Sequence, residues 1–479
     1  MSQLEPIIII GGGPVGLATA LAFEKAGIDF VLLEKKDNVA VGEGGDLVLL
    51  PPALRALSQL GVLEDIRKAS TRLRSLSRVD HKGRDIGEMN WFINYRKRFG
   101  QYPLLVPRTK LSEILFNHLS KHSKRKVYLN KKVTNLELHP GGFVRVTCRD
   151  NTTYTGGMVI GADGVDSRVR EEMRKLALDA ACKKKLRCGP LAFVNKERPF
   201  KSRYNALWMA FPPSICDTLR AGDAFEVHGK NIAVQLFVGR DRATLTAYKK
   251  NDLPKKEKIL FDENYIESFV DSCSDLVIVP GEKLTLQTAF DNCIESGMTS
   301  MPEGVLKHWG YGKIVLAGDA AHQVTPSIGS GVNHGIFDVV ALVNELRKVL
   351  AEHDTTPAKM GGMSQQDDEL ADALRTYQHQ RIPVVKECGR VSGKVTGLSV
   401  TSSPLSRIVH RMLSWDAVQN YLWRKSASMM AKCPRFNFIK TKEPFRTVAT
   451  ASSLISHRSE YPNDGSRVSL LYNTYERLF

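Results

Sequence analysis

The chain opens on an unbroken apolar run, Ile7 to Ile10, that stops at three consecutive glycines, Gly11 to Gly13. Apolar residues without alternation are what a parallel strand buried on both faces requires, and the glycines end it sharply. Val15, Ala18, Leu21 and Ala22 then fall at helical spacing, Gly27 supplies a stop, and Phe30 to Leu33 forms a second apolar run ending at Glu34. This pattern predicts a βαβ unit. From Lys131 the period shortens to two. Val144 and Val146 flank Arg145 ahead of an Asp150-Asn151 turn, so antiparallel strands are expected before Met158-Val159-Ile160. Alternation returns at Ile232, Val234 and Leu236 before a Gly239 to Asp241 turn, and the stretch from about Arg170 to Leu286 reads as sheet-rich. A third buried strand is expected at Ile314 to Ala317, a long helix at Val332 to Leu350, a loop at Pro357 to Gln366, and helices from about Leu370 to Met430. Pro434, Pro444 and the serines near Ser452 predict a loosely ordered end.

Composition adds limits to this outline. With 479 residues, 42% hydrophobic and 25% charged, the chain has the make-up of a packed protein of more than one lobe. A net charge of +17 raises the question of nucleic acid, but lysine and arginine are spread along the chain. The clusters at Lys121 to Lys132 and Lys183 to Lys185 lack interleaved aromatic residues, so solvated faces are expected rather than a polynucleotide groove. Attraction for a dinucleotide phosphate, an acidic substrate or an anionic membrane surface stays open. No apolar stretch reaches the length of a membrane span, and the start does not read as a signal peptide, so a cytoplasmic protein is expected. The eight cysteines form no C-x-x-C pair, which points to reduced thiols and no metal site.

Gly11, Gly13 and Gly16 make a G-x-G-x-x-G pattern between the first strand and the first helix. In such a loop the first glycine permits the tight turn, the second lets pyrophosphate approach the backbone, and the third lets helix and strand pack closely. Phosphate then lies at the positive end of the helix, and Glu34 is placed to bind ribose hydroxyls. Taken alone the pattern is weak, but strand, helix, second strand and terminal acid occur here in order. The choice of dinucleotide is left open by this unit. Two later segments narrow it: Gly161-Ala162-Asp163-Gly164 after an apolar strand, and Gly318-Asp319-Ala320-Ala321-His322 followed by Pro326, Gly329, Gly331 and Asn333.

With these motifs in this order the sequence resembles the class A FAD-dependent monooxygenases of the p-hydroxybenzoate hydroxylase type, over residues 5 to about 350. The segment from Arg98 to Leu115 and the late Asn437-Phe438 resemble, more narrowly, fungal enzymes of meroterpenoid and indole-alkaloid biosynthesis. Relatives of that kind often have glycine where Val48 stands and often carry C-terminal membrane helices, for which this sequence shows no run. The resemblance implies an α/β fold, a Rossmann-like FAD-binding domain interrupted by an antiparallel substrate domain, with a helical C-terminus. It divides the chain into FAD-binding residues 1–170, a substrate lobe 171–300, a returning FAD segment 301–355 and a helical region 356–479 with a flexible tail. It implies non-covalent FAD, NADPH or NADH as co-substrate, O2, and an aromatic or prenylated small molecule to be hydroxylated or epoxidised.

Asp319 is implied to bind the ribityl chain and Arg108 to contact FAD, where its cation suits pyrophosphate; a solvated surface arginine is the alternative. Asp163 is implied to handle FAD and NAD(P)H, with a structural turn as its alternative. Gly329 and Gly331 are expected to free backbone amides at a helix start, and Val48 and Val332 are placed with the cofactor-binding positions. His322 is not assigned catalysis, and Arg168 is read as structural. Asp46 and Arg187 are the candidates for groups acting beside the flavin, through proton transfer and a cation that orients a phenolate or peroxide. Their alternative is an exposed loop acid and one member of a basic run. Among rivals, a halogenase would need a W-x-W-x-I-P segment that none of the five tryptophans supplies. A flavin-dependent reductase of a prenyl chain and a non-catalytic nucleotide-binding protein remain as alternatives.

Overall fold

A computed structural model of the chain describes residues 5–40, 44–183, 194–255, 259–282, 284–355, 363–401 and 403–441. Strand β1 (Ile7–Ile10), helix α1 (Pro14–Ala26) and strand β2 (Phe30–Leu33) form the expected βαβ unit, with β1 and β2 parallel from Ile7 opposite Phe30 to Ile10 opposite Leu33. All four isoleucines are buried, as continuous apolarity demands of a strand covered on both faces. Proline in the first turn and Gly27 at φ 72° bound the helix. A short strand, β3 (Asp46–Leu49), lies beyond it. After helix α2 (Trp91–Phe99), β3 pairs antiparallel with β4 (Leu104–Pro107), Asp46 opposite Pro107.

Strands β5 (Met158–Gly161) and β6 (Ile314–Leu316) pair in parallel, β5 to β1 and β6 to β5. Between them in sequence lies helix α3 (Arg168–Lys183) and most of a second, eight-stranded sheet. That sheet is centred on Lys201–Phe211 and Ala243–Lys255, antiparallel from Tyr204 to Phe211. Its own apolar core includes Leu207, Met209, Leu236 and Leu245. The chain then continues through α4 (Gly331–Thr355), α5 (Met363–Ser399), α6 (Pro404–Leu413) and α7 (Asp416–Ala431). Helix α5 touches α4 on one lobe and the strand Glu295–Val305 on the other, and so ties the two together. Among the described residues no helix is long and apolar enough to cross a membrane.

The α/β class and the interrupted FAD-binding fold are as expected, and three local readings differ. Residues 168–183 are helical where a sheet-rich stretch was expected from Arg170, because Val169, Met173, Ala177 and Ala181 recur every fourth position and are buried on one face. Strands Ser75–Asp80 and Asp85–Glu88, within the first 170 residues, form the far edge of the eight-stranded sheet, Ser75 pairing with Asp223. The two strands form a local hairpin with each other, but the strand that joins them to the sheet, Asp223–His228, lies far downstream. Met363 to Gln366 begin a helix rather than continue a loop.

Candidate functional site: three glycine segments around Val15

Gly11 takes φ +109°, and a Cβ there would collide with the carbonyl of Ala162; a Cβ on Gly16 would collide with the carbonyl of Gly11. These two positions therefore serve the turn and the close helix approach. Gly13 is different. It is the N-cap of α1, no side chain caps that helix end, and a Cβ on it would meet nothing within 4 Å. The same open space faces Gly331 at the start of α4. Val15, in the first turn of α1, is the neighbour that a Cβ on Gly318 or Gly335 would meet first. The amino ends of α1 and α4 and the Gly318-Asp319 loop thus converge, and two helix dipoles point their positive ends at one place.

The surrounding carboxylates divide into two kinds. Glu34 is buried and accepts from the Gly12 amide at 2.5 Å and the Lys36 amide at 2.9 Å, so it braces the glycine loop while each oxygen keeps a lone pair for ribose hydroxyls. Asp319 is half-buried. Desolvation pushes its carboxyl up from the ordinary aspartate range, against the opposing charges of His322 and Arg108. Asp163, by contrast, is spent on the chain itself: Ser167 Oγ donates to it at 2.5 Å and the Val169 amide at 3.0 Å, which caps α3. Arg168 holds the carbonyl of Thr134 at 2.8 Å, the structural role expected of it.

Arg108 is exposed at the end of β4, and a Cβ on Gly44 would lie 3.7 Å from its Nη1. It therefore stands between the loop before β3 and Asp319. Val48 on β3 faces Gly329, and Val332 packs on the main core. One expectation needs correction: the Gly329 amide is not free, since it donates to the Pro326 carbonyl at 2.7 Å in a tight turn. Gly331 alone keeps the open backbone expected of the pair.

Asp46 begins β3, and its buried carboxylate is held by Arg242, whose Nε lies 3.1 Å from Oδ1 and whose Nη2 is closer still. Arg242 also reaches Glu295 at 2.5 Å, so one guanidinium links β3 to two strands of the large sheet. Arg187 lies outside the described residues. Sequence reasoning missed Arg242, because nothing local ties a sheet arginine to an acid so far upstream.

It also missed the buried polar centre beneath the Gly318-Asp319 loop. Asp338 Oδ2 accepts from the Gly318 amide at 2.9 Å and faces His322 Nε2 at 2.6 Å, while Oδ1 accepts from Arg381 Nε at 2.7 Å. Burial alone would raise the Asp338 carboxyl; the charges and hydrogen bonds of His322 and Arg381 outweigh it and bring it to about 2. Both ends of the loop that carries Asp319 are so pinned to α4 through Asp338, which Arg381 of α5 braces from the other side. One signal was available: Asp338 interrupts the apolar run from Ile336 to Val343, where a solvated acid has no place. Asn333 is a second clamp, accepting from the Leu50 amide and donating to the Val48 carbonyl, each at 2.8 Å.

The residues fit FAD: open space lies over two helix amino ends, an acid is set for ribose, a second acid sits at a strand end, and a cation stands beside it. Comparison with known proteins agrees. The family described as FAD binding domain matches residues 5–201 and 287–360. The chain is 29% identical to the FAD-dependent monooxygenase srdH of Neurospora crassa over 395 residues, 79% of this chain and 83% of that one. To the FAD-dependent monooxygenase prhF of Penicillium brasilianum it is 30% identical, over 78% of this chain and 75% of that protein. Of solved structures, p-nitrophenol 4-monooxygenase PnpA of Pseudomonas putida shares the fold at TM-score 0.66 and 19% identity, covering 90% of this chain and 99% of that one. Klebsiella pneumoniae HpxO complexed with FAD and uric acid does so at TM-score 0.64 and 18% identity, covering 88% and 96%.

Proposed function

Because the chain belongs to the FAD-binding-domain family of FAD-dependent monooxygenases, we propose that it uses NAD(P)H and O2 to hydroxylate or epoxidise an aromatic or prenylated-aromatic small molecule of secondary metabolism. The observation that carries this reading is the convergence of Gly13, Gly331 and the Gly318-Asp319 loop around Val15, beside an arginine-bridged junction with the eight-stranded sheet. FAD, when bound, supplies the redox chemistry with NAD(P)H and O2. The helix amino ends at Gly13 and Gly331 favour its negative charge, and Asp319 accepts from its hydroxyls.

Asp46 serves the reaction through Arg242 in this proposal. The acid holds the guanidinium at the junction of the lobes, where a fixed cation can orient a phenolate or another anionic group of the substrate. Arg187 keeps its place as a proposed second cation. The apolar sheet shields the reacting groups from water.

Incubation of the purified protein with NADPH, O2 and a panel of aromatic and prenylated-aromatic compounds should yield a product heavier by one oxygen atom. A product heavier by two hydrogens and no oxygen would identify a reductase instead, and a colourless protein that turns over nothing would leave only nucleotide binding.

A further inference from the structure

A helix on a protein surface ordinarily turns its apolar side inward, and α6 does the reverse. Its inward residues are polar: Ser406 and His410 are buried, and Ser414 just beyond it receives a hydrogen bond from the buried Arg78 at 2.6 Å. Ser403 and Ser406 close a reciprocal cap at its start, and His410 packs edge-on against His228 with ring centres 4.4 Å apart. The orientation is thus fixed by specific bonds. The outward side is apolar, with Leu405, Ile408 and Trp415 exposed by 42%, 57% and 53%.

The neighbouring helices extend this face. The Asn90 side chain, just ahead of α2, donates to Asp416 of α7 at 3.1 Å, and Trp91 packs edge-on against Trp423. Ile93 and Met429 are exposed on these helices. Five of the twelve exposed large hydrophobic residues among the described residues therefore lie on α2, α6 and α7 or, as Trp415, between the last two. The same helices carry seven lysines and arginines against a single aspartate, Asp416. Arg96, Lys97, Arg411, Arg424 and Lys425 of that set are exposed.

We propose that this corner of the molecule docks on an anionic membrane surface. Leu405, Ile408 and Trp415 enter the boundary between headgroups and acyl chains, and the five exposed cations face lipid phosphates. Charge decides against other occupants. A symmetric contact between two copies would set like charge against like charge. Residues 442–479 of the chain carry five lysines and arginines against four acids, so they bring no complementary charge.

The flavin-loaded protein, sedimented with vesicles of phosphatidylcholine containing one-third phosphatidylserine, should pellet with them, remain soluble with phosphatidylcholine alone, and be released by high salt. Leu405→Glu with Ile408→Glu should abolish pelleting while flavin content is kept. Arg411→Glu with Arg424→Glu should weaken it at least tenfold. Should the glutamate pair fail to fold, Leu405→Ser with Ile408→Ser and the wild-type salt dependence give the same reading. A wild-type protein that stays in the supernatant with anionic vesicles overturns the proposal. So does pelleting that survives the double substitutions, or a dimer in sedimentation velocity that those substitutions split.

Discussion

Gly13 and Asp319 bear on flavin binding from opposite directions, one by leaving space and the other by filling it with an acceptor. Gly13→Val places a branched side chain in space that nothing else in the fold occupies, so the fold should tolerate it and FAD should not. Asp319→Ala removes a hydrogen-bond acceptor whose carboxyl is already partly desolvated. Both variants should purify colourless with an unchanged far-ultraviolet spectrum, whereas acid precipitation of the wild type should release yellow FAD to the supernatant. Normal flavin content in both would refute the assignment. Arg381 acts from further away. Arg381→Met leaves Asp338 buried without its guanidinium, a loss that typically costs about 3–5 kcal/mol. Chemical denaturation should show a decrease of that order, together with weaker flavin retention because the Asp319 loop loses its anchor. A stability equal to wild type would mean that His322 and the Gly318 amide suffice for Asp338.

At the scale of elements, the joint between α4 and β3 depends on one side chain. Asn333→Leu would leave the Leu50 amide and the Val48 carbonyl without partners in a buried place, and the expected loss is about 1–3 kcal/mol. The dissociation constant for FAD should rise with it, while Asn437→Leu, on the molecule's edge, should change neither. Elements of this kind also show what the sequence makes legible. The βαβ unit announces itself because its signals are local: an apolar run, glycines, helical spacing and a stop all lie within about 30 residues. The hairpin at Ser75 to Glu88 is local, but its membership of the second sheet gives no such sign, since that comes from Ser75–Asp80 pairing with Asp223–His228. At the site, the glycines and Asp319 stand out because backbone space and loop position demand those residue types. Arg242 and Arg381 do not, since an isolated arginine in sequence reads as solvated until its buried partner is known.

For the molecule as a whole, two buried histidines contribute to the response to mild acid. Burial, and then Arg381 and the neighbouring His322, lower His334 to about 3; burial, His228 and Arg78 do the same for His410. The unfolded chain titrates these groups near 6.5, so between about 6.5 and 3 it takes up protons that the native state refuses. The stability of the neutral pair is complete above that window and falls with pH through it. Between pH 6.5 and 5.5 the two together should cost about 2 kcal/mol. Urea denaturation at both pH values checks this, and His410→Gln should remove about half of the difference; a flat profile would discount both groups. The position of β6 has a consequence for synthesis. This strand completes the sheet beside β5 but leaves the ribosome only after the roughly 150 residues that separate Gly161 from Ile314. At about 5–20 residues per second, β5 waits some ~8–30 s with one edge unpaired, an invitation to join a neighbouring nascent chain. A chain arrested short of Ile314 should therefore be held by chaperones and bind no flavin, however well its large sheet has formed. In this protein the flavin is expected to arrive after translation has passed the second lobe.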